Sequence, residues 1–254
     1  MTKRALWIAL ILCATTSLRA EESALTLSPS VVNLRGAGGA SVTHRITLTN
    51  RTGVDASFEL IAQDVVVKNG TREFHPAGST PDSIAASATF SKRAVTVLAG
   101  ESRSVDVTLT LPASTTQRAV VAIFRGTTLF RINGVSATAS LGTLFTFTLT
   151  GDVRLDCAPL RVEPQTAATN ATIEATLENT GSEPLVSTGA SVFVDASGAI
   201  VGRTQFDSRR FLPGERASLR SEYPGELQPG VYSVVATLQF EGRSLTRTAE
   251  LVVK

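Results

Sequence analysis

The side chains of this 254-residue chain best suited to metal or nucleophilic chemistry are two histidines and two cysteines, and their spacing supports neither use. His44 stands in the alternating run Val42, His44, Ile46, Leu48, which puts it on the apolar side of a strand, where a buried or half-buried imidazole with a backbone partner is expected. His75 precedes Pro76 in a stretch that reads as an exposed loop. Neither has a second histidine at ligand spacing, and Cys13 lies in an N-terminal apolar run, so no cysteine pair completes a zinc site. Cys157 as a nucleophile needs a base and a lowered thiol pKa, which the surrounding residues do not signal. It is expected to pack near a domain join, with an intermolecular disulfide as the alternative. There is no Gly-x-Ser-x-Gly elbow, and Gly36-Ala37-Gly38-Gly39 leads into a strand rather than the helix that a phosphate cradle requires. The expectation is therefore a protein that is not an enzyme, with no catalytic residue, no cofactor and no metal.

The amino terminus has the layout of an export signal. Lys3 and Arg4 precede an apolar run over residues 5–14, and small polar residues lead to Ala20, after which cleavage is expected. The run is shorter than the roughly 20 residues a spanning helix needs, so no transmembrane anchor is expected in the mature chain. Leu12, before Cys13, is larger than the residue that normally precedes a lipidated cysteine. Loss of Lys3, Arg4 and Arg19 with residues 1–20 lowers the basic residues from 24 to 21 against 22 acidic ones. A nearly neutral chain has no clustered basic surface for nucleic acid. With one cysteine left, no internal disulfide can form, and apolar packing must hold the fold.

The elements that would position any site are strands. Alternating runs cover residues 24–34, 41–49, 56–68 and 103–111, then 171–177, 190–195, 217–221, 231–240 and 244–253. Gly36-Ala37-Gly38-Gly39, Asn69-Gly70 and Pro112 punctuate them, and no window sustains a helical period. A repeat orders the chain: Asn50-Arg51-Thr52-Gly53 precedes Leu98-Ala99-Gly100-Glu101, and Asn179-Thr180-Gly181 precedes Leu212-Pro213-Gly214-Glu215. The fold class is all-β, two immunoglobulin-like β-sandwich domains in tandem after the signal peptide (1–20), over residues 21–155 and 156–254. The Asn-to-Leu spacing is longer in the first half, which places an insertion there, assigned to residues 71–83.

Asn133-Gly134 favours a two-residue hairpin turn between strands over residues 119–132 and 135–149. That register sets Ile132 opposite Val135, Phe130 opposite Ala137 and Phe124 opposite Thr143. Both strands can serve as core, or the tip can project and offer an edge to another chain. On the second reading Phe124, Phe130, Leu141, Phe145 and Phe147 are the partner-binding residues.

At these residues the chain resembles two families of bacterial extracytoplasmic immunoglobulin-like proteins. It is similar to the WxL-interacting cell-surface proteins through Ser28-Pro29-Ser30, Thr49-Asn50, Leu98-Ala99-Gly100-Glu101-Ser102, Leu177-Glu178-Asn179-Thr180-Gly181 and Leu227-Gln228-Pro229-Gly230-Val231-Tyr232. That resemblance implies adhesion to the cell wall and to surface proteins, although those proteins usually end in a membrane anchor and this chain stops at Leu251-Val252-Val253-Lys254. More distantly it resembles periplasmic PapD-like pilus chaperones, through Leu27-Ser28-Pro29-Ser30-Val31-Val32 and the alternation after Val135. The basic residues with which that family grips a subunit's terminal carboxylate are absent here: Val31 stands at the first position, and no Lys or Arg lies within residues 135–151.

The resulting expectation is a non-enzymatic protein exported to the periplasm or cell surface, binding a secreted subunit or surface protein at the cell envelope. The alternatives are a pilus-type chaperone donating a β-strand and a cell-wall scaffold with peptidoglycan as a further partner.

Overall fold

The computed structural model describes residues 25–113, 116–132, 135–166 and 168–254. The expected signal over residues 1–20 and the Asn133-Gly134 turn lie outside them. The first half builds β1 (Leu25–Ser28), β2 (Val31–Arg35), β3 (Ser41–Asn50), β4 (Ala56–Lys68), β5 (Thr71–Pro76), β6 (Thr89–Phe90), β7 (Ala94–Val97), β8 (Ser102–Thr110), β9 (Ala119–Gly126), β10 (Phe130–Ile132), β11 (Val135–Ala137) and β12 (Leu141–Thr148). The second half builds β13 (Leu155–Cys157), β14 (Arg161–Glu163), β15 (Ala171–Asn179), β16 (Leu185–Val194), β17 (Ile200–Phe211), β18 (Arg216–Tyr223), β19 (Gly230–Phe240) and β20 (Arg243–Val253). The one helical turn among the described residues is a short 310 segment, Ala85–Ser87.

Each half closes as a sandwich. In the first, the sheet β1-β3-β8-β6 faces the sheet β2-β12-β9-β4-β5, to which β7 adds on β4. In the second, β15 pairs with β13, β14 and β18, and faces β17-β16-β19-β20. The period of two explains which side chains meet: in β3, Ile46 and Leu48 are fully buried while Val42 and His44 are half-buried. The first core is built on Phe58, Phe124, Phe145 and Phe147, with Phe58 and Phe124 edge to face at 6.3 Å. The second is built on Phe193, Phe211, Ile173 and Leu177.

The sequence repeat is a repeated hydrogen-bond network. Asn50 and Asn179 are both fully buried. The Asn50 amide donates to the carbonyls of Val54 and Val97, and its Oδ1 accepts from the Thr52 N–H. Asn179 donates to the carbonyls of Glu183 and Phe211 and accepts from the Gly181 N–H. The Gly100 N–H donates to the Asn50 carbonyl at 2.8 Å, and the Gly214 N–H to the Asn179 carbonyl at 2.8 Å. Both glycines sit at positive φ, +77° and +75°, which a side chain would strain. The repeat thus fastens one strand end to a Leu-x-Gly-Glu turn at the same place in each sandwich.

Four details differ from the sequence reading. The first run is two strands, because the chain leaves one sheet after Ser28 and joins the other at Val31, parallel to β12. The insertion after Lys68 is not a loop throughout: β5 pairs with β4 from Lys68↔Thr71 to Gln63↔Pro76, so His75 lies on a strand. β17 was not expected; its solvent face over Arg203–Arg210 is polar, as suits a sheet-edge strand, and hides the alternation. Ile132↔Val135 and Phe130↔Ala137 hold, but Phe124 pairs with Leu141 rather than Thr143. The cause is local: Thr127 leaves the ribbon to donate its N–H to the Ser57 carbonyl, and Thr128 Oγ1 accepts from the Ser57 N–H, so one side of the ribbon spends two more residues than the other.

Asn179→Ala strands the buried carbonyls of Glu183 and Phe211. It is expected to cost about 2–3 kcal/mol in urea unfolding followed by the Tyr223 and Tyr232 fluorescence of the second sandwich.

Candidate functional site

The expected partner residues do not form one surface. Phe124 and Phe145 are fully buried and Phe147 is 2% exposed, all within the closed first core. The pleat points these three positions between the two sheets. Leu141 and Phe130 are half-buried at the core margin. What projects is the ribbon beyond them. Among the described residues β10 and β11 pair only with each other, Leu129 at their base is 69% exposed, and Ser136 and Ala137 are exposed. β2 pairs with β12 from Leu144 onward and the Thr143 hydroxyl donates to the Pro29 carbonyl just before it, so among the described residues the edge facing away from β9 lacks a strand partner only at Leu141 and Gly142.

The second feature is the join between the sandwiches, which sequence reasoning missed. Glu183 follows the Asn179 turn, and its side chain is 1% exposed. Both its oxygens accept from Arg118, Nε and one Nη, at 3.2 Å each, and Oε2 also takes the Leu149 N–H at 2.9 Å. Glu215, the last residue of the repeated turn, is 3% exposed and accepts from Arg72 Nε at 2.9 Å, from the Leu212 N–H and from Arg209. Arg72 donates in addition to the Arg210 carbonyl, and the Arg216 N–H donates to the Gly70 carbonyl. Between these pairs Leu212 packs on Val65, Ala119 and Val121 of the first sandwich. Gly151 lines the join too: a Cβ there would fall 2.2 Å from Glu183 Oε1, so only glycine lets the linker pass the buried carboxylate. Burial pushes the Arg210 guanidinium pKa down; Glu241 opposes this and the Arg72 charge adds to it.

The remaining candidates do structural work. His44 is half-buried as expected, but its contact is the edge of the Phe145 ring at 6.1 Å rather than a backbone group. His75 pairs with Glu73 at 3.2 Å. Cys157 is buried, and that burial raises its thiol pKa, partly offset by Arg247. Asp64, fully buried, accepts from Thr80, Ser83 and the Ala85 N–H and so ties down the segment after β5. Among the described residues no group of three or more His, Cys, Asp or Glu is placed to hold a metal ion, and no helix is long and apolar enough to cross a membrane.

No protein-family model matches the chain, and no curated protein matches it. Similar solved structures include the class 5 fimbriae chaperone CfaA, 12% identical, covering 91% of this chain and 99% of that one with a TM-score of 0.42. Another is a chain of the CsuC–CsuE chaperone–tip adhesion subunit pre-assembly complex from archaic chaperone-usher Csu pili of Acinetobacter baumannii, 10% identical, covering 89% and 97%, TM-score 0.45. A third is a chain of the Salmonella enterica SafA pilin–SafB chaperone complex, 12% identical, covering 90% and 96%, TM-score 0.41.

Removing Arg118 leaves Glu183 buried without its counter-charge. Arg118→Ala is expected to lower stability by about 3–5 kcal/mol and to open the join to trypsin at Arg154, whereas a double replacement of Arg118 and Glu183 by leucine costs less. Cys157 is expected to resist iodoacetamide at pH 8 while folded and to react within minutes in urea; fast native labelling contradicts the buried, raised-pKa thiol.

Proposed function

We propose that this chain is an exported, non-enzymatic protein that holds other polypeptides at the bacterial cell envelope by strand pairing, in the manner of a periplasmic fimbrial chaperone. The observation that carries the reading is the ribbon made by β9 to β12: it leaves the sandwich as a two-stranded extension, and among the described residues no strand pairs with Leu141 and Gly142 on the side away from β9, while Thr143 is buried with its hydroxyl on the Pro29 carbonyl. An extended client segment added at that edge gains main-chain hydrogen bonds, and Leu129, Phe130 and Leu141 supply apolar contacts beside it. Phe124, Phe145 and Phe147 act behind this edge by keeping its strands rigid. The export signal over residues 1–20, cleavage after Ala20 and a division at residue 155 belong to the same reading, and so does a periplasmic location.

The grip on the client differs from the carboxylate anchor that the chaperone resemblance implies, since Val31 is 42% exposed and apolar where that anchor needs a base. Recognition here rests on backbone pairing and apolar contact.

The test uses two exposed positions whose replacement leaves the core intact. Leu129→Asp with Ser136→Asp is expected to reduce a partner crosslinked in the native envelope at least tenfold, with the urea midpoint unchanged. Equal recovery by the variant and the parent overturns the ribbon as the interface.

A further inference from the structure

A second surface lies on the opposite flank of the first sandwich, away from the β12 edge. β7 pairs with residues 56–59 of β4 and β5 with residues 63–68, so Leu60–Ala62 have no strand partner on that edge. There the Leu60 N–H donates to the Arg93 carbonyl. Across the gap, the other sheet ends in β6, two residues long and paired only with β8. Between the two sheet edges runs a groove of about 620 Å³. Five alanines, Ala62, Ala77, Ala85, Ala86 and Ala88, line it together with larger apolar side chains such as Phe90 and with the polar Gln63 and Thr89. Ala62 and Ala85 are buried in the floor, while Ala77 and Ala86 stand exposed at the rim. Small side chains at these positions leave a depth that larger ones would fill.

The mouth is basic. Arg93 and Arg125 line the groove and are exposed, and neither has an ion-pair partner among the described residues. Glu59 lies in register between Ala94 and Arg125 yet is not within ion-pair distance of either arginine. Asp106 is taken by Arg45 and Asp64 by its own loop.

From the apolar floor, the stretch of β4 left without a strand on that edge and the two guanidinium groups without an ion-pair partner among the described residues, we infer that this groove binds an extended segment of another protein in which apolar and acidic side chains alternate. In a strand, alternate side chains point to opposite faces. One set enters the alanine-lined floor, while the carboxylates of the other face the arginines at the rim. Carboxylate–guanidinium contacts at an exposed mouth set preference and encounter rate and weaken with salt, whereas the apolar side chains supply residence.

The probe is a labelled, end-blocked hexapeptide alternating valine with glutamate, compared with the same peptide carrying lysine for glutamate, each titrated into the whole mature protein by fluorescence anisotropy. The glutamate peptide is expected to bind at least tenfold more tightly than the lysine one, and to weaken as salt rises. Ala86→Glu, at the exposed rim, is expected to weaken the glutamate peptide at least tenfold. Arg93→Glu with Arg125→Glu is expected to reverse the preference; these residues are exposed, so this pair keeps the test valid if Ala86→Glu disturbs folding. The ribbon variant Leu129→Asp with Ser136→Asp binds the peptide as the parent does, which separates this site from the client edge. Equal binding of the two peptides, no binding of either at about 1 mM, or binding that survives the arginine reversal overturns the inference.

Discussion

One buried carboxylate holds the two halves of this molecule in register. Glu183 belongs to the second sandwich by its place in the chain, yet its charge is balanced by Arg118, and its oxygen is capped by the Leu149 N–H, both from the end of the first. A carboxylate that is 1% exposed tolerates little slack in this arrangement, because any movement that withdraws the arginine leaves a buried charge without its counter-charge. Glu215 and Arg72 repeat the device on the far side of Leu212. Two such pairs with an apolar contact between them resist twisting, which a single contact would allow. The edge of β12 therefore has a fixed direction relative to the second sandwich.

The duplicated turn explains where this clamp came from structurally. Asn50 and Asn179 make the same bonds, and the Leu-x-Gly-Glu turns close on them in the same way. The two copies differ in what surrounds the glutamate. Glu101 in the first sandwich is at the surface beside Arg103, whereas Glu215 is buried against Arg72. In the same way Val54 stands exposed where the second copy places Glu183. A motif that serves only to fasten strands in one half has its carboxylates turned into the joining surface in the other.

How much of this was legible in the sequence depended on range. The all-β class, the two halves and most strands could be read because a period of two and Gly-centred turns are local properties; Ile46 and Leu48 are buried as that period demands. The repeat was visible as letters and proved to be a hydrogen-bond network. β17 escaped because a sheet-edge strand with Arg203, Gln205, Asp207 and Arg209 outward looks like polar loop. The register beyond Phe124 failed because Thr127 and Thr128 are drawn to Ser57, 70 or so residues earlier, and no local rule includes that partner. Phe124, Phe145 and Phe147 share the alternation of core residues, and pattern alone does not say which face is covered. Arg118 and Glu183 lie 65 residues apart, and nothing in either neighbourhood announces the other.

The proposed strand pairing along Leu141 and Gly142 needs an edge that is open before a client arrives. It is tested most directly by amide hydrogen exchange, read by mass spectrometry, on the mature protein alone and in the crosslinked complex recovered from its envelope. New protection confined to the peptides spanning residues 136–143, with the join around Glu183 unchanged, is the predicted result. Protection elsewhere, or a complex of wall fragments that leaves those amides exchanging as in the free protein, rules out strand pairing at this edge.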